Sequence, residues 1–213
     1  IKVTHKEGKS VLDSIVVDGI VLEKERAHPS MPKEVKSAIV ALLSSELTVG
    51  KTTLDANIQI TDPNQIHQFL EKEREEVDKI AEFFDQLGVK ALFCEKGIDD
   101  QIVSALAARN ILAVKRVPRG EMELLARATG TLIHSDWKSI KGYNLGSAGL
   151  IKEESFWRDR MLFVRESLNP KAVTIFVRGG TPHVAEEIRR AVEDSLGDVA
   201  AALRNGKVVA GAG

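Results

Sequence analysis

Residues 62–88, DPNQIHQFLEKEREEVDKIAEFFDQLG, constrain the fold more than any other stretch, because they read as one long helix with both ends marked. Asp62 can cap it, Pro63 suits the first helical position, and Gln65 sits where a capping box needs it. Gly88 supplies the left-handed stop. A rod of about 25 residues is roughly 38 Å long, as long as a small domain is wide. Val77, Ile80, Ala81, Phe84 and Leu87 recur at helical spacing as a core-facing stripe, and Ile66, Phe69 and Leu70 form a second apolar patch near the start. Between them runs Glu71-Lys72-Glu73-Arg74-Glu75-Glu76, charged on all sides. A helix buried along its whole length would not carry such a collar. The pattern admits two arrangements. In one, the second half packs on a globular body and the first half projects into water with an apolar tip, a feature that marks contact with another protein. In the other, an ordinary surface helix has its tip covered by a neighbouring loop.

At 213 residues the chain has room for one large domain or two small ones, and 43% hydrophobic content allows a sizeable core. With 30 basic and 31 acidic residues the net charge is -1, which gives no electrostatic case for nucleic acid or an anionic membrane; neither is an expected partner. Cys94, the one cysteine, lies in the apolar run 89–94. It cannot form an intrachain disulfide, reads as a buried strand residue and suits a reducing compartment. No apolar run approaches the ~20 residues that span a bilayer, and no signal peptide is visible. The sequence starts at Ile1 and stops at Gly211-Ala212-Gly213 after a strand-like run, so both ends are expected to be cuts through a longer polypeptide.

Before the long helix, residues 1–12 suggest one strand, and Asp18-Gly19 punctuates two β-branched runs that make either one kinked strand or a tight hairpin. His28-Pro29-Ser30-Met31-Pro32 is a rigid loop. Residues 37–43 read as a buried strand, 47–53 as a polar loop and 56–61 as an alternating strand. After the helix, the spacing predicts strands at 89–94, 111–116 and 131–134 alternating with helices at 99–109 and 119–129, which implies a parallel sheet with helices on its faces. Residues 135–149 read as loop, 150–152 and 161–166 as strands, and Asn169-Pro170 as a break and the domain boundary. A strand at 172–177, a Gly179-Gly180 turn, a helix from Thr181 to about Leu203 and a strand at 207–210 complete the chain.

Few residues declare chemistry. Gly50-Lys51-Thr52 lacks the earlier glycine of a phosphate loop, since position 45 is Ser45, and strand pattern rather than helix follows it. Arg178-Gly179-Gly180-Thr181-Pro182 joins a strand to a helix whose N-terminus could bind an anion, although a tight turn needs the same glycines. The five histidines lack metal-ligand spacing, so no metal site is expected, and Cys94 has no catalytic partner. Asp99-Asp100 read as helix-capping carboxylates. Asp194 falls beside the apolar stripe Val184, Ile188, Ala191, Val192, Leu196, Val199 and Leu203; by periodicity it is a solvated carboxylate near Arg190 and Asp198.

Several stretches spread over essentially the whole chain carry a resemblance. They are Gly19-Ile-Val-Leu-Glu-Lys-Glu25 with His28-Pro-Ser-Met-Pro32, Ile60-Thr-Asp-Pro63, Leu92-Phe-Cys-Glu-Lys-Gly-Ile-Asp-Asp100, Ala113-Val-Lys-Arg116, Ala126-Arg-Ala-Thr-Gly130, Arg189-Arg-Ala-Val-Glu-Asp-Ser-Leu196 and Val208-Val-Ala-Gly-Ala-Gly213. The chain resembles the group II chaperonins, the thermosomes of archaea and their eukaryotic cytosolic relatives. The resemblance implies an α/β fold: an apical domain over about residues 10–170, with a mainly parallel sheet flanked by helices, an added β-sandwich part and a protruding lid helix at 62–87. Residues 1–9 and 171–213 would belong to a small α/β intermediate domain, and the equatorial ATP-binding domain would be absent.

The function so implied is the substrate-binding and built-in-lid portion of a cytoplasmic, ATP-dependent chaperonin that captures and encapsulates unfolded polypeptides within a double ring of subunits. Unfolded clients and other chaperonin subunits are the partners it implies. ATP and Mg²⁺ would be cofactors of the full-length ATPase, with none bound to this fragment, which alone would be inactive. Polypeptide would meet Ile66, Phe69 and Leu70 on the long helix and Ile102 and Ala105 on the next. Asp194 matches the family's late aspartate that assists ATP hydrolysis. The family's closing glycine triplet, which approaches the nucleotide, reads Gly211-Ala212-Gly213, so the middle position departs from the pattern. An alternative from another class is a free-standing α/β enzyme holding a phosphorylated ligand at Gly179-Gly180.

Overall fold

The computed structural model describes residues 1–49, 63–156, 159–166, 172–208 and 211, with side chains of the first helix from Leu70 onward. The Gly50-Lys51-Thr52 loop, the strand expected at 56–61, the Asp62 cap, the Asn169-Pro170 break and residues 209–210 lie outside them. In chain order the strands are β1 (Lys2–Glu7), β2 (Ile15–Val17), β3 (Gly19–Leu22), β4 (Glu34–Leu43), β5 (Val89–Cys94), β6 (Leu112–Val114), β7 (Ile133–His134), β8 (Gly146–Phe156), β9 (Asp159–Arg165) and β10 (Thr174–Gly179). The helices are α1 (Pro63–Gln86), α2 (Asp100–Ala108), α3 (Arg119–Thr129) and α4 (Pro182–Asn205).

Successive strand side chains point to opposite faces, and here both faces are apolar, so the large sheet must be covered twice. On β4, Val40 and Leu42 enter one core while Ala41 and Leu43 enter another. The same alternation separates Ala91 and Phe93 from Leu92 and Cys94 on β5. Helix α3 covers the first face with Met122, Leu125 and Ala128. The second is covered by Val77, Ile80, Ala81 and Phe84 of α1 together with Ile102, Val103 and Leu106 of α2. The large sheet runs β3-β9-β8-β4-β5-β6, with β7 also on β4. Pairs β4–β5, β5–β6 and β4–β7 are parallel, whereas β3–β9, β9–β8 and β8–β4 are antiparallel. The sheet is therefore mixed, where alternating strands and helices led us to expect a mainly parallel one. The difference comes from the antiparallel β8–β9 pair: β8 runs over 11 residues where a short strand at 150–152 is expected, while β9 lies close to the strand expected at 161–166.

A smaller sheet, β1-β10-β2, forms from the two ends of the chain, with β1 parallel to β10 and β2 antiparallel to it. It packs against β3 and β9 of the large sheet, Val17 and Phe176 meeting Val21, Met161 and Phe163, which is the sandwich part. The runs on either side of Asp18-Gly19 do not form a hairpin. The chain passes straight from β2 in the small sheet to β3 in the large one. Gly19 has φ 140°, and a Cβ there would lie 2.0 Å from the Val164 carbonyl oxygen, so the crossing requires glycine. Strand β6 is shorter than expected because Arg116 turns away at φ 59°. Its outer edge is covered by the loop after β3. The Ala27 N–H donates to the Ala113 carbonyl at 2.7 Å, and the Ala113 N–H donates to Met31 Sδ at 3.3 Å. Arg26 anchors the same loop through a buried pair with Glu153 of β8, Nε to Oε2 at 3.3 Å. Lys207 and Val208 are not strand.

Candidate functional site

Helix α1 is 24 residues long, so it spans about 36 Å, and its later half is docked. Among the described side chains, Val77 is the first buried beneath it, and the preceding Glu71, Lys72, Arg74, Glu75 and Glu76 are all exposed. Leu70 stands at the head of this collar with 52% of its surface open. Ile66 and Phe69 lie on the helical turn before it; their side chains fall outside the described residues. Between α1 and the start of α2 runs a groove lined by Leu70, Glu71, Glu73, Arg74, Val77 and Gln101. Leu70 and Val77 are its apolar members, set among Glu71, Glu73 and Arg74. Arg109 at the end of α2 pairs with Asp78 of α1 at 3.7 Å and closes the far end of the helix pair. Sequence reading gives Val77 its place in the core-facing stripe but misses its part in the groove, along with Gln101 and this pair, because a groove between two helices is set by their packing and not by either helix alone.

Of the two α2 residues expected at this face, Ala105 is half-buried and Ile102 is not there at all. Ile102 has no exposed surface. The correction has a simple cause: Ile102, Val103, Leu106 and Ala107 are spaced for one helical face, and that face is the docked one. The outer face of α2 is left with Gln101, Ser104, Ala105 and Ala108. Asp99 occupies the N-cap position without capping. Its carboxylate instead accepts the Val49 N–H at 3.0 Å, while Asp100 pairs with Lys115 at 3.3 Å. Burial pushes the Cys94 thiol up to about 11, with a backbone hydrogen bond from Lys96 acting weakly against it. The thiol also donates to the Ser45 carbonyl at 3.0 Å, as an inert core residue would.

Helix α4 belongs to the small sheet. Thr181 caps it, its Oγ1 accepting the Val184 N–H at 3.3 Å, and Pro182 opens the first turn. Ala185 is its one fully buried residue among those described, seated against Gly179, where a Cβ would fall 2.7 Å from the Ala185 nitrogen. Gly179 thus serves close helix–strand packing, and the Thr181 cap already uses the helix terminus. The phosphate-site alternative has no support in this geometry. Asp194 lies further along α4, exposed, and no ion pair among the described residues reaches it. Glu186 is gripped by Arg189, whose hydrogen bonds hold its carboxyl down at about 2 despite an opposing desolvation effect. His5 on β1 reaches the same carboxylate at 3.4 Å and ties the helix to the sheet. Gly211 is exposed, and Ala212 lies outside the described residues. The expected residues therefore fall in two places: Leu70 and Ala105 on the covering helices of the large sheet, and Asp194 on the helix of the small one. Among the described residues, no group of three or more His, Cys, Asp or Glu could hold a metal ion, and no helix is long and apolar enough to cross a membrane.

The sequence profile of the TCP-1/cpn60 chaperonin family matches residues 1–213. Thermosome subunit beta of Methanothermobacter thermautotrophicus is 45% identical over 213 residues, covering 100% of this chain and 40% of the relative. A thermosome subunit of Methanopyrus kandleri is 48% identical over 217 residues, covering 100% of this chain and 39% of the relative. Among solved structures, the open-state monomer of a group II chaperonin from Methanococcoides burtonii superposes with a TM-score of 0.74 at 32% identity, over 92% of this chain and 42% of that one. The chain thus spans about two fifths of the length of the curated relatives it matches. It belongs to the TCP-1/cpn60 chaperonin family, and its relatives place it among the group II chaperonins.

Proposed function

We propose that this chain is the polypeptide-binding and lid-forming portion of an ATP-dependent group II chaperonin. The observation that carries the reading is the half-docked α1, which holds Leu70 open above a groove shared with α2. Non-native chains expose apolar surface without fixed sequence, and exposed apolar side chains set among solvated charges can hold many of them. The large sheet with α1, α2 and α3 is the apical domain. The small sheet with α4 is part of the intermediate domain, and the two meet at Asp18 and between β9 and β10. Other subunits in a cytoplasmic double ring, and unfolded polypeptides, are its partners.

ATP with Mg²⁺ would supply the energy for lid movement and would be held outside the residues of this chain. The donor set here suits one supporting role. Asp194 is a single exposed carboxylate without an ion pair among the described residues, able to orient or polarise a water but not to hold the nucleotide. The 213-residue chain alone is accordingly inactive as an ATPase, and phosphate release above blank at micromolar protein would contradict that. The binding reading is tested by Phe69→Asp with Leu70→Asp in the full-length protein. Loss of both client capture and ring closure is expected; retention of both rules the tip assignment out.

A further inference from the structure

Asp194 owes its open carboxylate to an arrangement one turn back along α4. Arg190 stands four residues before it, within reach of an i,i+4 pair on the same helical face. Its guanidinium is turned the other way. Nε lies 3.3 Å from Glu186 Oε1 and Nη1 lies 3.4 Å from Glu187 Oε1. Glu186 is itself fixed on two sides. Arg189 donates to it from Nε at 2.9 Å and from Nη2 at 2.8 Å, and His5 approaches from β1 at 3.4 Å. Arg189 is engaged further by Glu193, so neither arginine is left for Asp194. The order of charges favours this state. An acid placed before a base at i,i+4, as Glu186 before Arg190, is the better orientation on a helix; Arg190 before Asp194 is the poorer one.

We infer that Glu186 and Glu187 are positioning residues for Asp194: they hold Arg190 back and keep the Asp194 carboxylate free to act on the hydrolytic water. The inference rests on the reading of Asp194 as the residue that assists hydrolysis. Neutralising both glutamates releases Arg190 toward Asp194, which pairs the carboxylate and slows turnover without touching nucleotide binding.

The test is steady-state ATP turnover by the full-length protein. Glu186→Gln with Glu187→Gln is expected to lower kcat roughly three- to tenfold with KM unchanged, since two exposed pairs bias the arginine only modestly. Adding Arg190→Gln to that background is expected to restore kcat, which a merely structural loss at α4 would not permit. An unchanged kcat in the double variant, or a loss that Arg190→Gln does not repair, overturns the inference while leaving the role of Asp194 standing. If Asp194→Asn turns over ATP at the parent rate, the reading of Asp194 itself fails and the inference falls with it.

Discussion

Helices α1 and α4 are the same length, 24 residues each, and both are amphipathic, yet they are held in opposite ways. The later half of α1 sinks Val77, Ile80, Ala81 and Phe84 between the large sheet and α2. The first turn of α4 sinks Ala185 against Gly179; further along its apolar stripe Ile188, Val192 and Leu196 are only half-buried, and Leu203 at the end has 81% of its surface exposed. A periodic stripe says that a helix has an apolar face. It does not say what covers that face.

Four substitutions sharpen the contrast. Phe84→Ala is expected to cost about 3–5 kcal/mol, because the ring is fully buried and leaves a cavity, whereas Leu203→Ala is expected to change stability by no more than about 0.5 kcal/mol. Denaturant midpoints of the two variants check this, and equal losses would erase the distinction between the helices. Gly179→Ala comes next, at about 1–3 kcal/mol, since the added Cβ would meet the Ala185 backbone and push α4 off its sheet. Thr181→Ala removes the cap of α4 and is expected to cost about 1 kcal/mol in the same assay.

The smallest effect is one of pH. Glu186 is held at about 2 against an ordinary value of 4.5, chiefly by Arg189, so that pairing is fully present above about 4.5 and is lost as pH falls toward about 2. Amide exchange of the first turns of α4, corrected for intrinsic rates, should accelerate over that window more than exchange around Ile80 and Phe84. Uniform acceleration would show that the ion pairs do not hold α4.

What could be read from sequence was what local chemistry decides. The body and glycine stop of α1, the strand β5 and the limits of α3 follow from caps, period and breakers, and the structure places each where the pattern does. The β8–β9 pair was read as loop plus fragments because Gly146 and Gly149 look like turn residues. They are strand residues without side chains because Thr129 and Glu166 pack where a Cβ would go, at 2.6 Å in each case. That close approach comes from distant parts of the chain, as does the buried Arg26–Glu153 pair that places a carboxylate inside β8. At the candidate site the charged collar before Val77 was visible in sequence. The burial of Ile102 was legible too, since it shares one apolar face of α2 with Val103 and Leu106, and assigning that residue to the polypeptide-binding surface overlooked the stripe.

The central claim is that the open end of α1, and not exposed apolar surface in general, receives non-native polypeptide. A photoactivatable cross-linker placed at position 70, and separately at position 203, in the full-length protein tests it directly when a chemically unfolded polypeptide is added. The account predicts client adducts at position 70 and few at position 203. Equal adducts at both positions, or none at position 70, would contradict it.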